Sequence, residues 1–418
     1  MEKIRIEGGI PLNGEVRIQG SKNTALPVMA AALLHEGTCV LENCPRIADV
    51  FCMEKILQAL GAVTCWEGHR LILDCSHLTG IRVPAGFAGQ MRSSIMLLGS
   101  MLGRMGGLKI AYPGGCTIGR RPINWHLQVM KEMGASVTED QEGLYASCGR
   151  LEGTALRLPF PSVGATENAL LAAVRARGTT VISGCAREPE ILHLCDFLAE
   201  LGVPLWGAGT GCIRVEGGAR LRDAVFSIPP DRIVAGTYLY AGAATRGRVD
   251  LQEAPVEEMG AILAAYEKMG GQYSISSGTL RTNSAFLCRP IPWVRTESYP
   301  GFPTDMQSAL LTVLCTVPGR SVICETIFED RYKVVPELWK MGADISLTGR
   351  RACVRGGPRL AGTGVTAREL RGGAALVLAG LAAEGVTQLE GWQFVKRGYE
   401  DLLENLQALG GRIFKEHG

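Results

Sequence analysis

Lysine is scarce in this chain, with 10 Lys against 33 Arg among the 43 basic residues. Charge of one sign is also lacking. The formal net charge is only +2, which argues against the basic stripe of a nucleic-acid or membrane-surface binder. Long hydrophobic runs are absent: the longest, Ala25 to Leu34, falls well short of the roughly 20 residues that span a bilayer. The opening MEKIRIEGG holds no apolar core of signal-peptide length, so export is not expected. Cysteine is plentiful at 14 residues, yet there is no Cys-x-x-C pair and no Cys/His cluster at zinc spacing. That disfavours a disulfide framework or a structural metal and points to a reducing, cytoplasmic setting. Neither G-x-x-x-x-G-K-[ST] nor a strand–GxGxxG–helix with a following acid occurs, so an NTPase or a nicotinamide enzyme is disfavoured.

What is present is a soluble globular composition, 46% apolar and 20% charged over 418 residues, long enough for two domains. Two phrases recur along it. One ends an amphipathic run in Leu-Gly or Met-Gly and continues as a strand, with glycines at Gly61, Gly134, Gly202, Gly270, Gly342 and Gly410. A glycine fits the residue after a helix because that residue often needs positive φ. The other phrase follows Ala/Leu-rich stretches that read as buried helices, with glycines at Gly37, Gly107, Gly178, Gly247, Gly319 and Gly385. Both recur about every 70 residues, longer than the roughly 20–50 residues of solenoid repeats. Six small α/β units, three to a domain, are expected, with a crossover near Pro229-Pro230 and a ligand in the cleft between domains.

Several segments carry candidate chemistry. The loop YPGGCTIGRRP sets Cys116 among glycines and arginines. Nearby cations favour a thiolate, which can act as a general acid or nucleophile; the alternative is a small apolar filler, as for the other cysteines. Lys22 and Asn23 open a long apolar helix, where they form either an anion site or a plain helix start with a solvated Lys. Asp305 in FPTDMQ precedes another apolar helix; from the residues alone an N-cap is favoured over a base. The corner PSVGATEN offers backbone amides to a diphosphate. Arg92, Arg331, Arg371 and Arg397 each sit at a corner of a repeat, where they either converge on one anion or face solvent.

Together GSKNTALP, MRSSI, PGGCTIG-x-RP, SVGATEN, AREPE, PDR, FPTDMQ, LVLAG and RGYE resemble, over the full length and in order, the UDP-N-acetylglucosamine 1-carboxyvinyltransferase (enolpyruvyl transferase) family. The resemblance implies two inverse α/β barrel-like domains, each of three βαβαββ units with helices inside and sheets outside. It places 22–229 in the first domain, carrying the Cys116 loop, and 1–21 plus 230–418 in the second. It also implies transfer of the enolpyruvyl group of phosphoenolpyruvate to the 3′-hydroxyl of UDP-N-acetylglucosamine, an early step of peptidoglycan precursor synthesis. No metal or organic cofactor, nucleic acid or membrane would take part; oligomeric state is left open.

Carried over residue by residue, Lys22, Arg121 and Arg397 would hold phosphoenolpyruvate. Asn23, Arg92, Arg121, Pro122, Ile123, Asn124, Trp125, Ser162, Val163, Gly164, Asp305 and Ile327 would hold the sugar nucleotide, and Arg331 and Arg371 would join the substrate-binding set. Asp305 would orient and deprotonate the acceptor hydroxyl. Cys116 would protonate the methylene carbon or form a covalent adduct, and would be the alkylation target of fosfomycin. The sequence departs from the family pattern at Phe394, Lys396 and Glu369, where His, Asp and Asp are usual, which puts the tuning of Arg397 in question. Rival readings are enolpyruvyl transfer to shikimate 3-phosphate and a non-catalytic paralogue that binds UDP-sugars.

Overall fold

In a computed structural model the described residues are 2–114, 118–119 and 121–416. The chain divides into two compact units. One, here called the Lys22 unit, comprises Gly20–Cys116 and Pro122–Pro229. The other, the Asp305 unit, comprises Met1–Gln19, Thr117–Arg121 and Pro230–Gly418.

Each unit is built around three apolar helices. In the Lys22 unit these are Lys22–Ala32, Leu97–Met105 and Val163–Arg175. In the Asp305 unit they are Arg232–Thr245, Gln307–Thr316 and Leu370–Ala382. All 14 residues of Arg232–Thr245 are buried, as expected for a helix without a polar face. Glycines allow close packing between such helices. A Cβ at Gly99 would lie 2.5 Å from the carbonyl oxygen of Asn168 on the neighbouring helix, a distance no side chain tolerates.

Three sheets flank the helices of each unit. A complete βαβαββ repeat runs from Ala155–Arg157 through Val163–Arg175, Thr179–Ser183, Pro189–Glu200 and Leu205–Trp206 to Cys212–Glu216. Its first two strands pair in parallel and the rest antiparallel. The repeat from Val294–Arg295 to Arg351–Gly356 has the same order and pairing. Other repeats borrow a strand. Ala224–Ser227, at the end of the Lys22 unit, pairs in parallel with Thr38–Glu42 at its start. Asn13–Arg17 pairs in parallel with Arg248–Gln252. Lys3–Glu7 lies between Val386–Glu390 and Arg412–Glu416, with Ile4 and Ile6 pointing into the core.

The recurring glycines have one structural meaning. Gly61, Gly134, Gly202, Gly270, Gly342 and Gly410 all have φ between +86° and +109°. At each, the glycine N–H bonds to the carbonyl three residues back and the next N–H bonds to the carbonyl five residues back. This is the Schellman ending of a helix, six times over. No helix is long and apolar enough to cross a membrane among the described residues.

Candidate active site

In the Asp305 unit, Asp305 lies in the turn Thr304–Met306 that leads into the Gln307–Thr316 helix. The N-cap favoured for it from local sequence is not formed: that helix has no side-chain cap bond. Instead both carboxylate oxygens accept from arginine. Arg331 Nη2 reaches Oδ1 at 2.6 Å, and Arg371 reaches Oδ2 with Nη2 at 3.0 Å and Nε at 3.2 Å. The Arg331 and Arg371 side chains are 2% and 4% exposed, against 28% for Asp305. The cations therefore stand behind the acid, and the carboxylate is the solvent-facing member of the group. Two fixed guanidinium groups outweigh the backbone amides a cap would satisfy.

The arginines are held in turn. Arg331 Nε donates to the Thr304 carbonyl at 3.3 Å, and its Nη1 lies 3.8 Å from Glu369. Arg371 Nη1 donates to Tyr399 Oη at 3.2 Å, which pairs with Thr237 Oγ1 at 2.9 Å. Burial works against the Arg371 charge, but Asp305, Tyr399 and Asp231 more than reverse this and raise its pKa above the usual arginine value. Glu369 caps the Leu370–Ala382 helix by accepting the N–H groups of Arg371 and Gly372. The Glu at this position thus supports the backbone of Arg371 directly. Lys396 is paired with Glu2 at 2.6 Å in an exposed bridge, while Arg397 is half-buried in the turn after the Trp392–Val395 helix.

Ile327 donates its N–H to Glu325 at 2.8 Å, and the Phe328 N–H bonds the same carboxylate oxygen at 3.1 Å. The Phe328 ring has the Arg121 guanidinium 5.5 Å away and that of Arg331 5.8 Å away. Arg121 groups with this unit, and the Ile118 carbonyl accepts the Asp330 N–H at 3.0 Å. Cys116 lies outside the described residues.

In the Lys22 unit, Ser21 caps the Lys22–Ala32 helix by accepting from Thr24 N at 3.3 Å. Lys22 Nζ sits 3.5 Å from Asp49, with only 14% of its side chain exposed, so it is not the solvated lysine of the alternative reading; Asn23 beside it is half-buried. Arg92 opens the turn Arg92–Met96 and donates to the Pro122 carbonyl at 3.1 Å. Ile123 precedes the Asn124–Glu132 helix, on which Asn124 is exposed and Trp125 half-buried. Ser162 caps the Val163–Arg175 helix through Ala165 N, and a Cβ at Gly164 would meet His126 Cε1 at 2.8 Å. Arg92, residues 122–125 and residues 162–164 are therefore neighbours.

The Tyr399 and Glu325 supports went unassigned from sequence, although RGYE contained the former; a residue that holds another leaves no motif of its own. Of the 13 described cysteines, none is in a disulfide. Burial pushes Cys75, Cys195 and Cys315 up to about 12, which makes them inert filler thiols. Among the described residues no group of three or more His, Cys, Asp or Glu could hold a metal.

Two α/β units, each of three repeats, make up the enolpyruvyl transferase fold. The solved enolpyruvyl transferase NikO from Streptomyces tendae superposes with a TM-score of 0.90 at 25% identity, covering 99% of both chains. The profile of the EPSP synthase (3-phosphoshikimate 1-carboxyvinyltransferase) family matches residues 6–406. UDP-N-acetylglucosamine 1-carboxyvinyltransferase 2 of Caldanaerobacter subterraneus subsp. tengcongensis is 41% identical, across 99% of this chain and 100% of its own. UDP-N-acetylglucosamine 1-carboxyvinyltransferase 1 of Symbiobacterium thermophilum is 44% identical, across 99% and 95%. The chain belongs to this family of enzymes, the carboxyvinyltransferases, which act on small-molecule substrates.

Proposed function

We propose that the chain transfers the enolpyruvyl group of phosphoenolpyruvate to the 3′-hydroxyl of UDP-N-acetylglucosamine and releases phosphate, supplying a peptidoglycan precursor in the cytoplasm. The choice of acceptor is carried by one observation, the full-length identity of 41% and 44% to carboxyvinyltransferases named for that sugar nucleotide. Shikimate 3-phosphate as acceptor has weaker support, since the solved EPSP synthase of Acinetobacter baumannii shares the fold at only 18% identity.

In this reading Cys116 delivers a proton to the methylene carbon as the acceptor oxygen attacks the adjacent carbon, and Asp305 takes the hydroxyl proton. The geometry around Asp305 suits that task. Two buried guanidinium groups hold both of its oxygens and fix its direction, so it orients the hydroxyl first and receives the proton as the carbon–oxygen bond forms. Loss of phosphate and of a methyl proton from the tetrahedral intermediate then restores the vinyl group. Lys22, Arg121 and Arg397 hold the phosphoenolpyruvate and stabilise the departing phosphate, while Arg331 and Arg371, buried behind Asp305, serve the substrates through that carboxylate. Asn23, Arg92, residues 121–125, residues 162–164, Asp305 and Ile327 hold the sugar nucleotide. Fosfomycin alkylates Cys116.

The test is phosphate release from phosphoenolpyruvate with UDP-N-acetylglucosamine or shikimate 3-phosphate as acceptor. Turnover with the sugar nucleotide alone, abolished in Cys116→Ala, is expected. Turnover only with shikimate 3-phosphate overturns the choice of acceptor, and none with either overturns the activity.

A further inference from the structure

The motif SVGATEN ends in Asn168, a fully buried polar residue that the reaction does not use. Its amide makes three hydrogen bonds to three different segments. Oδ1 accepts the Gly99 N–H at 2.8 Å, on the Leu97–Met105 helix. Nδ2 donates to the Ile95 carbonyl at 3.0 Å, in the Arg92–Met96 turn. Nδ2 also lies 2.7 Å from His126 Nδ1, on the Asn124–Glu132 helix.

These bonds fix more than position. The Gly99 N–H can only meet an acceptor, which identifies Oδ1 and leaves Nδ2 with two hydrogens. One goes to Ile95 and the other to His126 Nδ1, so that ring nitrogen is an acceptor and carries no proton. His126 is then the neutral tautomer with its hydrogen on Nε2. The Nε2 edge abuts residue 164: an ideal Cβ at Gly164 would stand 3.1 Å from Nε2 and 2.8 Å from Cε1. Glycine is what lets the ring and the start of the Val163–Arg175 helix approach this closely.

We propose that Asn168 is a positioning residue that, through the Nε2–H tautomer of His126, holds the Arg92 turn, residues 122–125 and the 162–164 corner in register for the sugar nucleotide. The inference rests on the acceptor assignment above and extends it from the residues that touch the nucleotide to the one that aligns them. Phosphoenolpyruvate is assigned to none of these three segments, its proposed contact at Arg121 lying just ahead of them, so the effect of losing Asn168 falls mainly on the sugar nucleotide.

The experiment compares wild-type enzyme with Asn168→Asp, which keeps shape and the Gly99 acceptor but removes both donors. Calorimetric binding of UDP and steady-state turnover are read together. Loss of a buried donor pair is expected to weaken UDP binding and raise the KM for UDP-N-acetylglucosamine by roughly tenfold, with the KM for phosphoenolpyruvate changed by less than about twofold. Nitrogen-15 spectra of the wild-type protein, with only six histidines to assign, are expected to show His126 protonated on Nε2; this reading holds even if the variant fails to fold. Unchanged UDP affinity in the variant, an equal rise in both KM values, or an Nδ1–H His126 overturns the proposal while the acceptor assignment stands. Failure of the wild-type enzyme to bind UDP at all overturns both.

Discussion

Replacing Asp305 by Asn removes one negative charge from between two buried cations and separates its two tasks. The catalytic loss is that of a positioned base, roughly 10²- to 10⁴-fold in turnover. The structural loss follows from the arginines left behind. Removing one partner of a buried ion pair typically costs about 3–5 kcal/mol. Here the cost is lower, because the Asp305 side chain is 28% exposed and solvent screens it. Arg331 also keeps Thr304 and Glu369, and Arg371 keeps Tyr399. An amide oxygen can still accept one N–H. About 2 kcal/mol of destabilisation remains, which lowers the melting temperature by roughly 4–8 °C for a domain of some 200 residues. Phosphate-release kinetics and scanning calorimetry read the two effects. Arg371→Met should cost a similar amount alone, and in the double variant the two losses should fall short of their sum by at least about 1 kcal/mol. Additive losses, or an Asn variant with unchanged melting temperature and more than about a tenth of wild-type turnover, would refute the clamp.

Glu167 is fully buried, its Oε2 has no hydrogen-bond partner, and burial together with Glu190 and Glu188 pushes its pKa up to about 8. Because the folded value lies above the unfolded one, its contribution is full below about pH 4.5 and is lost as pH rises to about 8. Glu167→Gln should therefore flatten the fall in stability over that window and stabilise the protein at pH 9 by on the order of 2 kcal/mol; denaturant midpoints at pH 6 and 9 that shift as in wild type would contradict this. Two glycines separate strain from collision. Gly134→Ala, with φ +94° and open space around the new Cβ, should cost only about 1–2 kcal/mol. Gly99→Ala, 2.5 Å from the Asn168 backbone, should cost more than about 3 kcal/mol, and equal denaturant midpoints for the two would refute the packing argument. Cys116→Asp keeps an acid at the reacting carbon but no thiol, so turnover should persist and fosfomycin should lose its effect; full sensitivity would move the alkylation site elsewhere.

The sequence alone carried the repeat, because each signal in it is local. A Schellman ending needs positive φ at one residue, and six glycines about 70 residues apart announce it. A helix buried on every side must be apolar on every side or satisfy its few polar groups internally, as Arg232–Thr245 does with Thr237 and Thr245. Tertiary structure alone decided which strand completes which sheet. Lys3–Glu7 and Asn13–Arg17 join sheets formed hundreds of residues later, and Ala224–Ser227 returns to Thr38–Glu42. Backbone hydrogen bonds have the same donors and acceptors in every strand, so the order of pairing leaves little trace in side chains. The same holds for Asp305. Locally it reads as a helix cap; only folding brings Arg331 and Arg371, 26 and 66 residues on, against its two oxygens, and charged groups this strong take precedence over the nearest amide.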